Sequence, residues 1–128
     1  MGYILIVEDD DVIRTTLKQF ICFEGFNAQA VENGKKALEF ISASTEVPEL
    51  IFLDLNMPEM NGCELLYILK RDDRFKNIPV VIVTASLLDN VRPIVADAFL
   101  EKPINLNELL RLCLQWCGQP QVYQAPVL

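Results

Sequence analysis

Histidine is absent from all 128 residues. That absence removes the commonest general base and every Ser–His or Cys–His nucleophile pair. The four cysteines, Cys22, Cys63, Cys113 and Cys117, include no CxxC pair. Without His or CxxC, the pattern argues against zinc, and the thiols read as reduced side chains filling gaps in a core. No apolar run approaches the ~20 residues that span a bilayer, and the N-terminus carries no signal-peptide pattern. Positive charge is scarce: 11 basic residues against 18 acidic ones give a net charge of −7. Such a chain is a poor partner for DNA, RNA or an anionic membrane surface. Together these absences predict a cytoplasmic domain that binds neither nucleic acid nor membrane.

What is present suits one folded domain. The chain has the usual length of a single domain, and 52% of it is hydrophobic, which argues against disorder. Strand and helix patterns alternate. "YILIV" (3–7), "FNAQAV" (26–31), "ELIFL" (49–53), "PVVIV" (79–83) and "AFL" (98–100) read as strands. Between them, residues 11–24, 33–44 and about 62–72 carry helical spacing, with Val12, Ile13, Thr16, Leu17, Phe20 and Ile21 on the first helix. Gly25 stops that helix. The last helix runs from Asn105, an N-cap with Glu108 at the third helical position, to about Cys117, before Gly118 and Pro120. Its spacing predicts an inward stripe of Leu106, Leu109, Leu110, Cys113 and Cys117, with Leu112 and Trp116 to one side and partly exposed. The alternation predicts an α/β domain over 1–118, a parallel sheet with helices on both faces, and a C-terminal tail over 119–128. Trp116 and the tail are expected either to pack on their own chain or to join a homodimer.

In a doubly wound sheet the site lies outside the carboxyl ends of the strands. After the first strand come Glu8, Asp9, Asp10 and Asp11; after the third, Asp54; after the fourth, Thr84; after the fifth, Lys102 and Pro103. Clustered carboxylates stay ionised together only beside a cation. Oxygen-only ligands suit Mg²⁺, with Mn²⁺ as a second choice. An aspartate there is equipped to be a nucleophile toward phosphorus, with the metal and Lys102 balancing the phosphoryl oxygens. A carboxylate needs no general base, so the missing histidines are no obstacle.

"ILIVEDD", "LIFLDLNMPEMNG", "VVIVTAS" and "FLEKP" occur in that order, and the chain thereby resembles the response-regulator receiver domain of two-component signalling over residues 3 to about 117. The resemblance implies a flavodoxin-like five-stranded sheet in the order 2-1-3-4-5. It implies that Asp54 is the phosphoacceptor, that Glu8, Asp9, Asp54 and the backbone carbonyl of Asn56 face the metal, and that Thr84 and Lys102 hold the phosphoryl group. Thr84 and Phe99 match the switch positions, and Lys102–Pro103 matches a cis peptide. Asp10 and Asp11 read instead as caps of the first helix.

The chain also departs from the family's pattern. Only "ASLLDNVRPIVADA" (85–98) separates Thr84 from Phe99, and Pro93 lies within it. The fourth helix, expected in this stretch, should therefore be short or irregular. Phe99 lacks the hydroxyl that a tyrosine would offer. The implied function is not that of an enzyme. It is a regulator phosphorylated by a histidine kinase or histidine phosphotransfer protein, with output through protein contact or onward phosphotransfer to an unnamed partner. The alternatives are a receiver-fold interaction module independent of phosphorylation and an aspartate-nucleophile phosphatase. The phosphatase usually needs an acid two positions after the nucleophile, where Asn56 stands. A flavin carrier is disfavoured, because acids rather than a Gly/Ser/Thr-rich loop follow the first strand.

Overall fold

A computed structural model describes residues 2–55, 62–85 and 96–120. The strands are β1 (Ile4–Val7), β2 (Ala28–Val31), β3 (Leu50–Asp54), β4 (Val80–Thr84) and β5 (Ala98–Glu101). The described helices are α1 (Asp11–Phe23), α2 (Gly34–Ala43), α3 (Gly62–Arg71) and α4 (Leu106–Cys117). All four strand pairings are parallel, and the sheet order is β2-β1-β3-β4-β5. This is the doubly wound, flavodoxin-like order.

The strands are apolar on both sides because both sheet faces are covered. Leu5, Val7, Ile51, Leu53, Val80 and Ile82 pack with α2 and α3 through Ala37, Ile41, Leu65, Leu66 and Leu69. Their neighbours in the alternation, Ile4, Ile6, Leu50, Phe52, Val81 and Val83, pack with α1 and α4 through Leu17, Ile21, Leu109, Leu112 and Cys113. A side chain of this type contributes about 1.5–3 kcal/mol when fully buried, so the two layers fix the register of every central strand. Helix starts are capped by side chains that accept backbone N–H bonds: Asp10 from Ile13, Asn33 from Lys36 and Asn105 from Glu108. Gly25 follows α1 with φ 98°, a conformation that favours glycine.

Two packing expectations need correction. On α4 the buried residues are Leu109, Leu112 and Cys113, while Leu106 is exposed and Trp116 is half-buried against the same core. The inward face is therefore centred on Leu109, Leu112 and Cys113, with Leu110, Trp116 and Cys117 partly buried against the same core, and Leu106 in the first turn faces the rim between α4 and α1. Val12 on α1 is exposed at that same rim. The thiols are free, but only Cys113 and Cys117 sit in or against the core; Cys22 and Cys63 are exposed. Burial pushes the Cys113 and Cys117 thiols up to about 12. Residues 86–95, the greater part of the stretch in which the short helix was expected, the tail beyond Pro120, and Asn56 fall outside those described.

Candidate functional site

Strand ends deliver the polar groups. β1 stops at Val7, and the amide of Glu8 still donates to the Val31 carbonyl at 3.1 Å, so Glu8 leaves the sheet in a fixed place. Asp10 then caps α1, leaving Glu8 and Asp9 in the turn between strand and helix. Asp54 is the last residue of β3, in register with Val83 of β4. The next amide, that of Leu55, donates to the Val83 carbonyl at 3.4 Å, and the Gly62 amide donates back to the Leu55 carbonyl at 3.2 Å. Gly62 has to be glycine here. A β-carbon at that position would collide with the Asp54 carbonyl oxygen and lie 2.9 Å from the Leu55 Cα. Thr84 closes β4 and is buried, and its carbonyl accepts from the Lys102 amide at 2.8 Å. The Lys102–Pro103 peptide bond is cis.

These ends meet. One carboxylate oxygen each from Glu8, Asp9 and Asp54 lie within 4.8 Å of one another, with Glu8 and Asp54 buried and Asp9 exposed at the mouth. Lys102 Nζ lies 2.8 Å from Glu8 Oε1 and 3.4 Å from Asp54 Oδ2. The second Glu8 oxygen accepts from the Asp10 amide at 3.3 Å. Burial raises the Glu8 pKa above its ordinary value, and the neighbouring Asp54 adds to the rise against the pull of Lys102. Burial works against the charged form of Lys102, yet its contacts with Glu8 and Asp54 hold its pKa above the ordinary lysine value. When all three carboxylates are ionised, they and the Lys102 ammonium carry a net charge of −2. An oxygen-only set with that deficit fits a small divalent cation such as Mg²⁺.

Two features escaped the sequence. Arg14, in the first turn of α1, donates from Nη1 to the carbonyls of Glu8 at 2.9 Å and Asp9 at 3.2 Å, and its Nη2 pairs with the Asp11 carboxylate. Asp11 is thus the first residue of α1 and a partner of Arg14, whereas Asp10 is the cap. A cation at a helix N-terminus opposes the macrodipole, and that misfit was a usable signal. The second feature is an apolar groove of about 280 Å³ between α1 and the start of α4, bordered by Val12, Ile13, Leu17, Lys102, Pro103 and Leu106. Only a three-dimensional view joins its two walls. Phe99, in register with Ile82, is partly exposed on β5.

A 2-1-3-4-5 parallel sheet with acids from β1 and β3 and a lysine after β5 at its carboxyl edge is the architecture of a two-component receiver domain. The chain belongs to the response regulator receiver domain family, whose sequence model matches residues 4–113. It is 36% identical over 118 residues to the two-component response regulator ORR5 of Oryza sativa subsp. japonica, covering 87% of this chain and 85% of that protein. Among solved structures, it is similar to the receiver domain of a signal transduction histidine kinase from Syntrophus aciditrophicus. The TM-score there is 0.82 at 32% identity, with 100% and 98% of the two chains covered. The response regulator TrrA of Thermotoga maritima, solved in complex with Mg²⁺–BeF, gives a TM-score of 0.77 at 28% identity over 91% of this chain and 99% of that one.

Proposed function

We propose that the protein is a phosphoacceptor that takes a phosphoryl group on Asp54 in a Mg²⁺-dependent reaction, Mn²⁺ being a second candidate, with a histidine kinase or histidine phosphotransfer protein as donor. The observation that carries this reading is the position of Asp54. Its carboxylate is buried at a strand end, 3.4 Å from an ammonium and within 4.8 Å of two further carboxylates. In the transfer, an Asp54 oxygen bonds to phosphorus as the bond from phosphorus to the donor nitrogen breaks, and the electron pair leaves with the imidazole. Lys102 offsets charge on the phosphoryl oxygens. Glu8, Asp9, Asp54 and the Asn56 carbonyl would hold the metal, which supplies further neutralisation of those oxygens when bound. Thr84, at the end of β4, would reach the new group through its hydroxyl, and the added charge of about −2 would be passed on toward Phe99.

The groove beside Lys102 supports a protein donor. The groove shares Lys102 with the carboxylate cluster, and its apolar rim, with Val12 and Leu106 exposed, would accept an apolar helix face bearing the phosphohistidine. In this reading the protein is a regulator rather than a turnover enzyme, acts in the cytoplasm, and consists of a receiver over 1–118 with a tail over 119–128. Output then runs through contact with another protein, with a homodimer as one form of that contact.

Beryllofluoride, which takes the place of a phosphoryl group on a carboxylate, tests the reading. With Mg²⁺ it is expected to shift amide resonances around Asp54, Thr84 and Phe99. A spectrum unchanged by beryllofluoride and Mg²⁺ would favour an interaction module that never uses phosphorylation.

A further inference from the structure

We propose that Arg14 is a positioning residue for the metal: it clamps the backbone of the turn that aims Glu8 and Asp9, and divalent-cation affinity depends on that clamp. The inference rests on the metal reading of the site given above. Arg14 reaches back from α1 over the turn and donates to two successive carbonyls, at 2.9 Å and 3.2 Å, from a single nitrogen. Its other terminal nitrogen is anchored by Asp11 on its own helix, and the side chain is only 19% exposed. The Glu8 side chain is tied from within the same turn through the Asp10 amide. The segment carrying both β1 acids is therefore held at its backbone by a planar, permanently charged group whose fork fixes its direction. The helix dipole disfavours a cation in this turn, and the two carbonyls and Asp11 supply the compensation.

The direction of the change in Mg²⁺ affinity separates a backbone clamp from simple electrostatics. Arg14 carries a positive charge near a site for a divalent cation, so loss of that charge by itself would tighten Mg²⁺ binding. Loss of the clamp would loosen the turn and weaken binding. Lys102, which touches the carboxylates directly, supplies the electrostatic control: Lys102→Met removes a competing cation and should tighten binding.

The test is calorimetric titration of Mg²⁺ into the full chain at fixed ionic strength, with amide spectra recorded in parallel. The variants are Arg14→Met, Arg14→Lys and Lys102→Met. Arg14→Met is expected to weaken Mg²⁺ binding about three- to tenfold, with resonance changes concentrated at residues 8–10. Arg14→Lys, which keeps the charge but not the fork, should recover only part of the loss. If Arg14→Met does not fold, Arg14→Lys decides alone, and weaker binding than wild type is the expected result. Unchanged or tighter binding in the deciding variant overturns the inference, even if that variant is less stable. If wild type itself binds no Mg²⁺, the metal reading fails and the inference falls with it, an outcome distinct from normal binding that ignores Arg14.

Discussion

The Lys102 ammonium lies 2.8 Å from Glu8 Oε1, closer than its 3.4 Å approach to the Asp54 carboxylate. A lysine expected to serve a phosphoryl group on Asp54 is thus shared with an acid proposed to face the metal. On that proposal Lys102 and a divalent cation would compete for Glu8. Lys102→Met should bind Mg²⁺ at least about fivefold more tightly, from the loss of one charge near the carboxylates. The same variant should take up phosphoryl groups from acetyl phosphate more slowly, because nothing replaces the ammonium on the phosphoryl oxygens. Mg²⁺ affinity equal to wild type would show that Lys102 and the metal do not share this ground.

Glu8 gives the site a pH signature. Burial, aided by Asp54, raises its pKa above the ordinary glutamate value. The folded protein therefore holds this proton more tightly than the unfolded chain does. Its contribution to stability is unfavourable to the ionised form: without Mg²⁺, stability falls as pH rises from the ordinary glutamate value through the raised one. The raised Lys102 pKa acts only at alkaline pH and leaves this window untouched. Thermal melts across the acidic range should show the fall in wild type, its reversal by Mg²⁺, and its loss in Glu8→Gln. A Glu8→Gln profile parallel to wild type would remove Glu8 as the cause.

Gly62 and Gly118 make a matched pair. A methyl at Gly62 meets the backbone of Asp54 and Leu55, whereas one at Gly118 meets nothing within 4 Å and strains only the backbone at φ +69°. Gly62→Ala should cost about 1–3 kcal/mol, as overpacking does, and should blunt the Mg²⁺ response by moving Asp54. Gly118→Ala strains a backbone at φ 69° and ψ −156° and should also cost about 1–3 kcal/mol, yet leave Mg²⁺ binding intact. Urea unfolding and Mg²⁺ titration of both variants check this, and a Gly62→Ala protein as stable and as responsive as wild type would contradict it.

The strands and the acids at their ends were legible in the sequence because a parallel sheet covered on both faces writes itself as short apolar runs. The residue that breaks each run then marks the carboxyl edge: Glu8 after Val7, Asp54 after Leu53, and Lys102 just past Glu101. Caps were legible for a similar local reason, since Asp10 and Asn105 each stand three residues before the amide they bind. Helix faces were less so. Helical spacing states which residues share a side, not where the sheet ends, and so Leu106 was assigned inward although it borders a groove. Arg14 was missed because its acceptors include backbone carbonyls, so that its misfit with the helix dipole was the one signal the sequence offered.

The central claim is that Asp54 carries the phosphoryl group, and one measurement tests it most directly. The full chain is incubated with acetyl phosphate and Mg²⁺, reduced with borohydride to trap any acyl phosphate, and mapped by peptide mass spectrometry. The account predicts a single modified residue, Asp54, no modification when Mg²⁺ is chelated, and none in Asp54→Asn. Modification of Asp9 or Asp11 in place of Asp54, or an Asp54→Asn protein labelled as wild type is, would contradict it.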